Sequence, residues 1–195
     1  MISRFFTFDE HATLIEGAYH FPLVVLSLLV AVFASFMAFN VARQAAITED
    51  KIRRNTLLGT GSIALGGGIW SMHFLGMTAF DLCLSVNYDP FVTGLSAIPG
   101  VAAAWVALHL LIKTRISIAE IVLGGVLVGA GIGTMHYSGM AAMEMAPLLR
   151  YDLGMFALSI VVAVCLAMLS LWIKFGITAA TKSKKLLGKH VLLAS

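Results

Sequence analysis

Apolar and polar positions along this chain are sorted into long blocks, not into the short alternation of a water-soluble domain. Runs free of Asp, Glu, Lys and Arg cover residues 17–42, 55–80, 90–112, 121–143 and 153–173. A helix needs about 20 apolar residues to cross the hydrocarbon core of a bilayer, and each run supplies them. Only helices and closed barrels satisfy their backbone polar groups in lipid, so the pattern predicts five membrane-spanning helices. The connections are short, which makes neighbouring spans antiparallel. The expected fold class is all-α, a multi-pass transmembrane helix bundle.

Charge orients the bundle. Arg43, Lys51, Arg53 and Arg54 follow the first run, Lys113 and Arg115 the third, and Lys174, Lys182, Lys184, Lys185 and Lys189 the fifth. Basic residues in short loops stay on the cytoplasmic side, so the C-terminus is expected inside and the N-terminus outside. Asp9, Glu10, Glu16, Asp81, Asp89, Glu144 and Asp152 gather on the opposite side. The resulting division is an outer (periplasmic) segment over residues 1–16, a transmembrane domain over 17–176 and a basic cytoplasmic segment over 177–195. The first span has an acidic, aromatic flank in Phe5–Glu10 and a run too long for a cleaved signal, so it is expected to stay. Residues 191–195 read as the opening of another apolar segment, so the sequence is expected to be a truncated piece of a longer protein.

With 59% hydrophobic and 12% charged residues, the composition excludes a soluble domain, whose single core could not hide that much apolar surface. The net charge of +3 comes from the loop clusters and implies no nucleic-acid partner. Cys83 and Cys165 lie far apart in apolar surroundings and are expected to be small buried hydrophobes.

The segment Ser71–Asp81, S-M-H-F-L-G-M-T-A-F-D, returns as T-M-H-Y-S-G-M-A-A-M-E at Thr134–Glu144, an offset of 63 that also maps Tyr88 to Tyr151, Asp89 to Asp152 and Ser96 to Ser159. An offset of 69 maps Tyr19 to Tyr88 and Ser27 to Ser96, and places His20 where Asp89 and Asp152 stand. The unit is therefore a helix pair, used twice and begun a third time. Asp89 and Asp152 read as N-caps. Glycines at 66–68, 125, 129, 131 and 133 read as small faces for close helix packing, since no strand or Lys-Ser/Thr accompanies them as a phosphate loop requires.

Candidate chemistry lies in the repeated motif. His73 and Met77, and His136 and Met140, are four apart and share a helix face, with Met72 and Met135 beside them. Each His lies eight residues inside an acidic residue, about 12 Å along a helix axis. A histidine at that depth in lipid is costly and faces the bundle interior with a role, and here two stand at equivalent positions. His20 enters from the same side and completes an expected three-histidine group. Imidazole and thioether together favour copper, particularly copper(I). His109, His11 and His190 lie near the ends or outside the spans and are set aside. Two other readings stay open: an electron-transfer or oxidoreductase protein with His73 and His136 as axial haem ligands, and a metal transporter, against which stands the lack of polar residues continuing into the inner half.

The paired M-H-F-L-G-M and M-H-Y-S-G-M motifs, each ahead of a Tyr-Asp and an S-x-x-x-A helix, resemble the MHYT family of bacterial integral membrane sensor domains, from about Tyr19 to Lys174. The resemblance implies an inner-membrane sensor, not an enzyme in itself, that binds copper through Met72, His73, Met77, Met135, His136 and Met140, with His20 as the first-span histidine. It implies perception of oxygen, carbon monoxide, nitric oxide or redox state and signalling to a cytoplasmic output such as cyclic-di-GMP turnover. Expected partners are the lipid bilayer, a diatomic gas, a cytoplasmic signalling domain and a second copy of the chain. Two features depart from the family: a third Met-His motif and an output domain are not in this sequence.

Overall fold

A computed structural model describes residues 6–7, 17–81, 86–144 and 151–193, with side chains described within 17–176. Among the described residues there are six helices, α1 Phe21–Ile47, α2 Lys51–Thr78, α3 Pro90–Leu95, α4 Ala97–Leu111, α5 Ile118–Ala141 and α6 Leu153–Leu193, and six two-residue strands. The helices pack in a chain of neighbours: α1 on α2, α2 on α4, α4 on α5 and α5 on α6. The third apolar run is divided at Ser96, where α3 hands over to α4. Its hydroxyl bonds the Thr93 carbonyl at 2.6 Å.

Four helical stretches, Phe21–Ile47, Pro90–Leu111, Ile118–Ala141 and Leu153–Gly176, are long and apolar enough to cross a membrane. With 28 residues α2 is also long enough, but it is diluted by Gly, Ser, Thr, Trp and His and is enclosed between α1 and α4. The chain is a multi-pass membrane protein.

Its interior is built of small residues. Ala38, Ala42 and Ala45 of α1 cluster with Leu58 of α2 and Leu108 of α4, while Phe33, Phe36 and Phe39 stand outside. Lipid tails are as apolar as any side chain, so burial does not drive helices together here; close van der Waals contact does, and small residues permit it. A Cβ on Gly66 would sit 2.5 Å from the Val101 Cα, so α2 and α4 touch there backbone to backbone. On α5, Gly125, Gly129 and Gly133 form a seam at four-residue spacing against Met168, Val164 and Ile160 of α6. Cys165 of α6 corrects one expectation: it is exposed on the outer surface, toward lipid, because the glycine seam takes its neighbour Val164 inward. Cys83 lies outside the described residues.

The repeat is visible in the backbone. Strand β2 (Ala18–Tyr19) pairs antiparallel with β3 (Phe80–Asp81), and β4 (Asn87–Tyr88) likewise with β5 (Met143–Glu144). Each pair ties the start of a unit's first helix to the end of its second. The His20 N–H donates to the Ala79 carbonyl at 2.7 Å, and the Asp89 N–H to the Ala142 carbonyl at 2.9 Å, the same bond in both units. In the third unit β6 (Tyr151–Asp152) pairs instead, in parallel, with β1 (Phe6–Thr7).

Helix starts follow the local sequence. Asp89 accepts from the Val92 N–H at 2.8 Å, Asp152 from the Met155 N–H at 2.7 Å, and Ser117 with Glu120 forms a reciprocal capping box. At the far end α6 continues unbroken for 41 residues, about 60 Å of helix. Val191 therefore falls within this helix, not at the start of a separate one.

Candidate metal centre

His73 and His136 lie on α2 and α5, five residues before the end of each helix. Their equivalent depths follow from the repeat, and the fold turns them toward each other. The two Nδ1 atoms are 3.4 Å apart, and the rings meet edge to face with centroids 4.7 Å apart. Both side chains are half-buried. Among the described residues, His73 Nε2 is one of two buried side-chain polar atoms without a hydrogen-bond partner, the other being Thr93 Oγ1.

Gly139 makes this pairing possible. A Cβ there would meet His73 Nε2 at 3.1 Å and the Phe74 ring at 3.2 Å, so the glycine opens the floor of the imidazole's place. Its repeat partner Gly76 has nothing within 4 Å of the same added atom, so the units are alike in sequence but unequal in surroundings. Aromatic rings wall the pair: Phe74 lies edge-on to His73 at 5.4 Å and Tyr137 edge-on to His136 at 4.9 Å. Tyr88 and Tyr151 pack against these two rings in turn, at 5.9 and 5.4 Å. Burial pushes both phenols above their usual range, for Tyr151 with help from Tyr137, so they stay neutral at physiological pH.

The other expected ligands are placed unequally. Met77 and Met140 follow the histidines by one turn on the same helices, and with Met72 they are half-buried. Met135 is 2% exposed and packs its Cγ against Gly100 of α4, a gap-filling position. His20 occupies the N-cap of α1, where the later units have a capping aspartate, but makes no side-chain cap bond and is exposed. No group of three or more His, Cys, Asp or Glu side chains comes together among the described residues. Asp81 and Glu144 end in the strand pairs, both exposed. His109 bonds the Trp105 carbonyl at 2.9 Å and lies against that ring, away from the pair.

Sequence reasoning missed Gly139 and Tyr137 as parts of the site. Both lie within three residues of His136, but in an apolar run a glycine carries the pattern of a helix-packing residue and a tyrosine that of a buried aromatic.

The family described as MHYT, bacterial signalling protein N terminal repeat, matches residues 66–124 and 129–188. The chain belongs to the MHYT family. The two matched MHYT repeats are offset by 63, the spacing that brings His73 onto His136. Among curated proteins, the chain is 40% identical over 159 residues to the bifunctional diguanylate cyclase/cyclic di-GMP phosphodiesterase MucR of Pseudomonas aeruginosa, covering 82% of this chain and 23% of that protein. It is 34% identical over 142 residues to the cyclic di-GMP phosphodiesterase NbdA of the same organism, covering 73% of this chain and 18% of NbdA. It is 31% identical over 175 residues to the signaling protein YkoW of Bacillus subtilis, covering 89% and 21%. The chain thus spans about a fifth of the length of the curated relatives it matches. No solved structure matches it.

Proposed function

We propose that this MHYT domain is an inner-membrane sensor that holds a copper ion between His73 and His136 in the outer half of the bilayer. The observation that carries the reading is the 3.4 Å between the two Nδ1 atoms. Two imidazole nitrogens bonded to one tetrahedral ion at about 2.0–2.1 Å are held about 3.3–3.4 Å apart. As a direct hydrogen bond the same distance is beyond the usual 2.7–3.2 Å range. Two imidazole nitrogens at this separation suit one shared cation, and the thioethers of Met72, Met77 and Met140, on the same two helices as the histidines, suit a soft one. His20 and Met135 are weaker members of the set, the first exposed and the second packed on Gly100.

A copper(I) ion there would supply a coordination position for a diatomic gas or a response to redox state. The chain does the rest: α2 and α5 fix the imidazoles, Gly139 admits the His73 ring, and Phe74 and Tyr137 exclude water. The haem reading is disfavoured by the same geometry, since rings edge to face at 4.7 Å leave room for an ion but not for a macrocycle. The names of MucR and NbdA support a cyclic-di-GMP output, which in this reading receives the signal from the cytoplasmic side.

Elemental analysis of detergent-purified protein, reconstituted with copper(I), tests the site. The expected result is one copper per chain, lost in His73→Ala and His136→Ala. Copper absent from the parent, or retained in the double variant, overturns the assignment. Carbon monoxide added to the loaded protein should give a new C–O stretch in the infrared; its absence would remove the gas from the proposal and leave the redox reading.

A further inference from the structure

Ser96 and Ser159 are equivalent, 63 residues apart, and each receives a polar atom from an aromatic side chain on the motif helix of the preceding unit. Trp70 Nε1 donates to Ser96 Oγ at 3.0 Å and to the Thr93 carbonyl at 3.1 Å. The Tyr137 hydroxyl lies 2.6 Å from Ser159 Oγ. Both serines spend their own proton on the carbonyl three residues back, Thr93 at 2.6 Å and Phe156 at 2.7 Å, so Tyr137 is the donor to Ser159 as Trp70 is to Ser96.

The two aromatic donors are not repeat partners. Trp70 corresponds to Gly133 and Tyr137 to Phe74. Where the motif residue is Phe and lacks a hydroxyl, an indole one turn earlier makes the bond. Where that earlier position is Gly, the hydroxyl of the motif residue makes it. The same contact reached by two routes marks the contact, not either residue, as what the architecture keeps.

Between α5 and α6 the contact has added weight. The same interface holds the seam of Gly125, Gly129 and Gly133, and glycine offers no side chain to fix one register against another. Tyr137 lies edge-on to His136 at 4.9 Å on one side and against Phe156 of α6 at 4.4 Å on the other. Helix α6 is the element that runs on to Leu193. We infer that Tyr137 is a positioning residue that sets α6 on α5, and that a displacement of His136 reaches α6 through the Tyr137–Ser159 hydrogen bond. The second half of this inference rests on the reading of the His pair as a metal centre.

The test uses the full chain in nanodiscs, with Cys83 and Cys165 replaced by Ser and spin labels at Ile118→Cys on α5 and Ile173→Cys on α6, both exposed positions. Without metal, Tyr137→Phe and Ser159→Ala should each broaden the inter-label distance distribution or move its mean by about 1–2 Å, the scale of helix shifts in switching proteins. Phe is the residue the first unit carries at this place, so Tyr137→Phe keeps the packing. Distributions identical to the parent in both variants overturn the positioning role. Silver(I), a soft ion without electron spin, is then added. The parent should show a distance change, and Ser159→Ala, on α6 and outside the metal site, should bind silver in the same ratio without it. A change that persists in Ser159→Ala overturns the coupling. Absence of silver binding to the parent overturns the metal reading and the coupling with it, while the metal-free comparison still decides the positioning role.

Discussion

A glycine is the most demanding residue of the candidate centre. Gly139→Ala brings a methyl to 3.1 Å from His73 Nε2, closer than a carbon and a nitrogen sit at rest, so the imidazole must give way by a few tenths of an ångström. We expect copper(I) affinity, measured by competition with a chromogenic chelator, to fall at least about tenfold, as when a supporting residue of a metal site is changed. Gly76→Ala, facing open space, should leave affinity unchanged; equal losses in both would show that the added methyl acts on the helices and not on the ring. Trp70→Phe removes the indole donor to Ser96 and Thr93 while keeping an aromatic ring. Bonds of this kind inside membranes contribute about 0.6 kcal/mol on average and up to about 1.7 kcal/mol, and the unfolding free energy in mixed micelles should drop by that amount.

Among elements, the α5–α6 pair depends most on backbone approach. A side chain on Gly129 would enter at 2.7–2.9 Å from Val164 atoms, including its Cα and N, and neither backbone can yield without parting the helices. Gly129→Val is expected to destabilise the domain by about 1–3 kcal/mol, the range for forced overpacking, whereas Gly67→Ala, with nothing within reach, should not. Denaturation in mixed micelles compares the two. The helices themselves were readable because lipid demands uninterrupted apolar length, and two of the caps because Asp89 and Asp152 stand directly before the runs. The division of the third run at Ser96 was not readable, since Gly94, Ser96 and Pro99 suit a small-residue helix face as well as a break. The strand pairs were hidden for a different reason: two residues carry no periodicity, and only the partner across the bundle defines them. At the site, the repeat offset brought out the two equivalent histidines, but the expected third stayed at the N-cap of α1, because the Ala79 carbonyl anchors the backbone N–H of His20 at the end of α2.

For the whole molecule, the sidedness read from Lys and Arg has a direct check. Tyr19 and Ile47, 70% and 79% exposed, bracket α1 at opposite ends. In a background with Cys83 and Cys165 replaced, Tyr19→Cys should react with a membrane-impermeant maleimide on intact cells and Ile47→Cys only after permeabilisation; the reverse pattern would invert the bundle. A final consequence follows from the placing of small residues inside and bulky ones outside. In a water-soluble domain the large core side chains resist exchange and the surface drifts. Here the order is reversed: Phe33, Phe36 and Phe39 face outward, where lipid accepts any apolar shape, while Ala45 and Gly66 have no space for one more carbon. A saturation-mutagenesis survey of this chain should find its widest sequence freedom among its largest residues and its narrowest among its smallest.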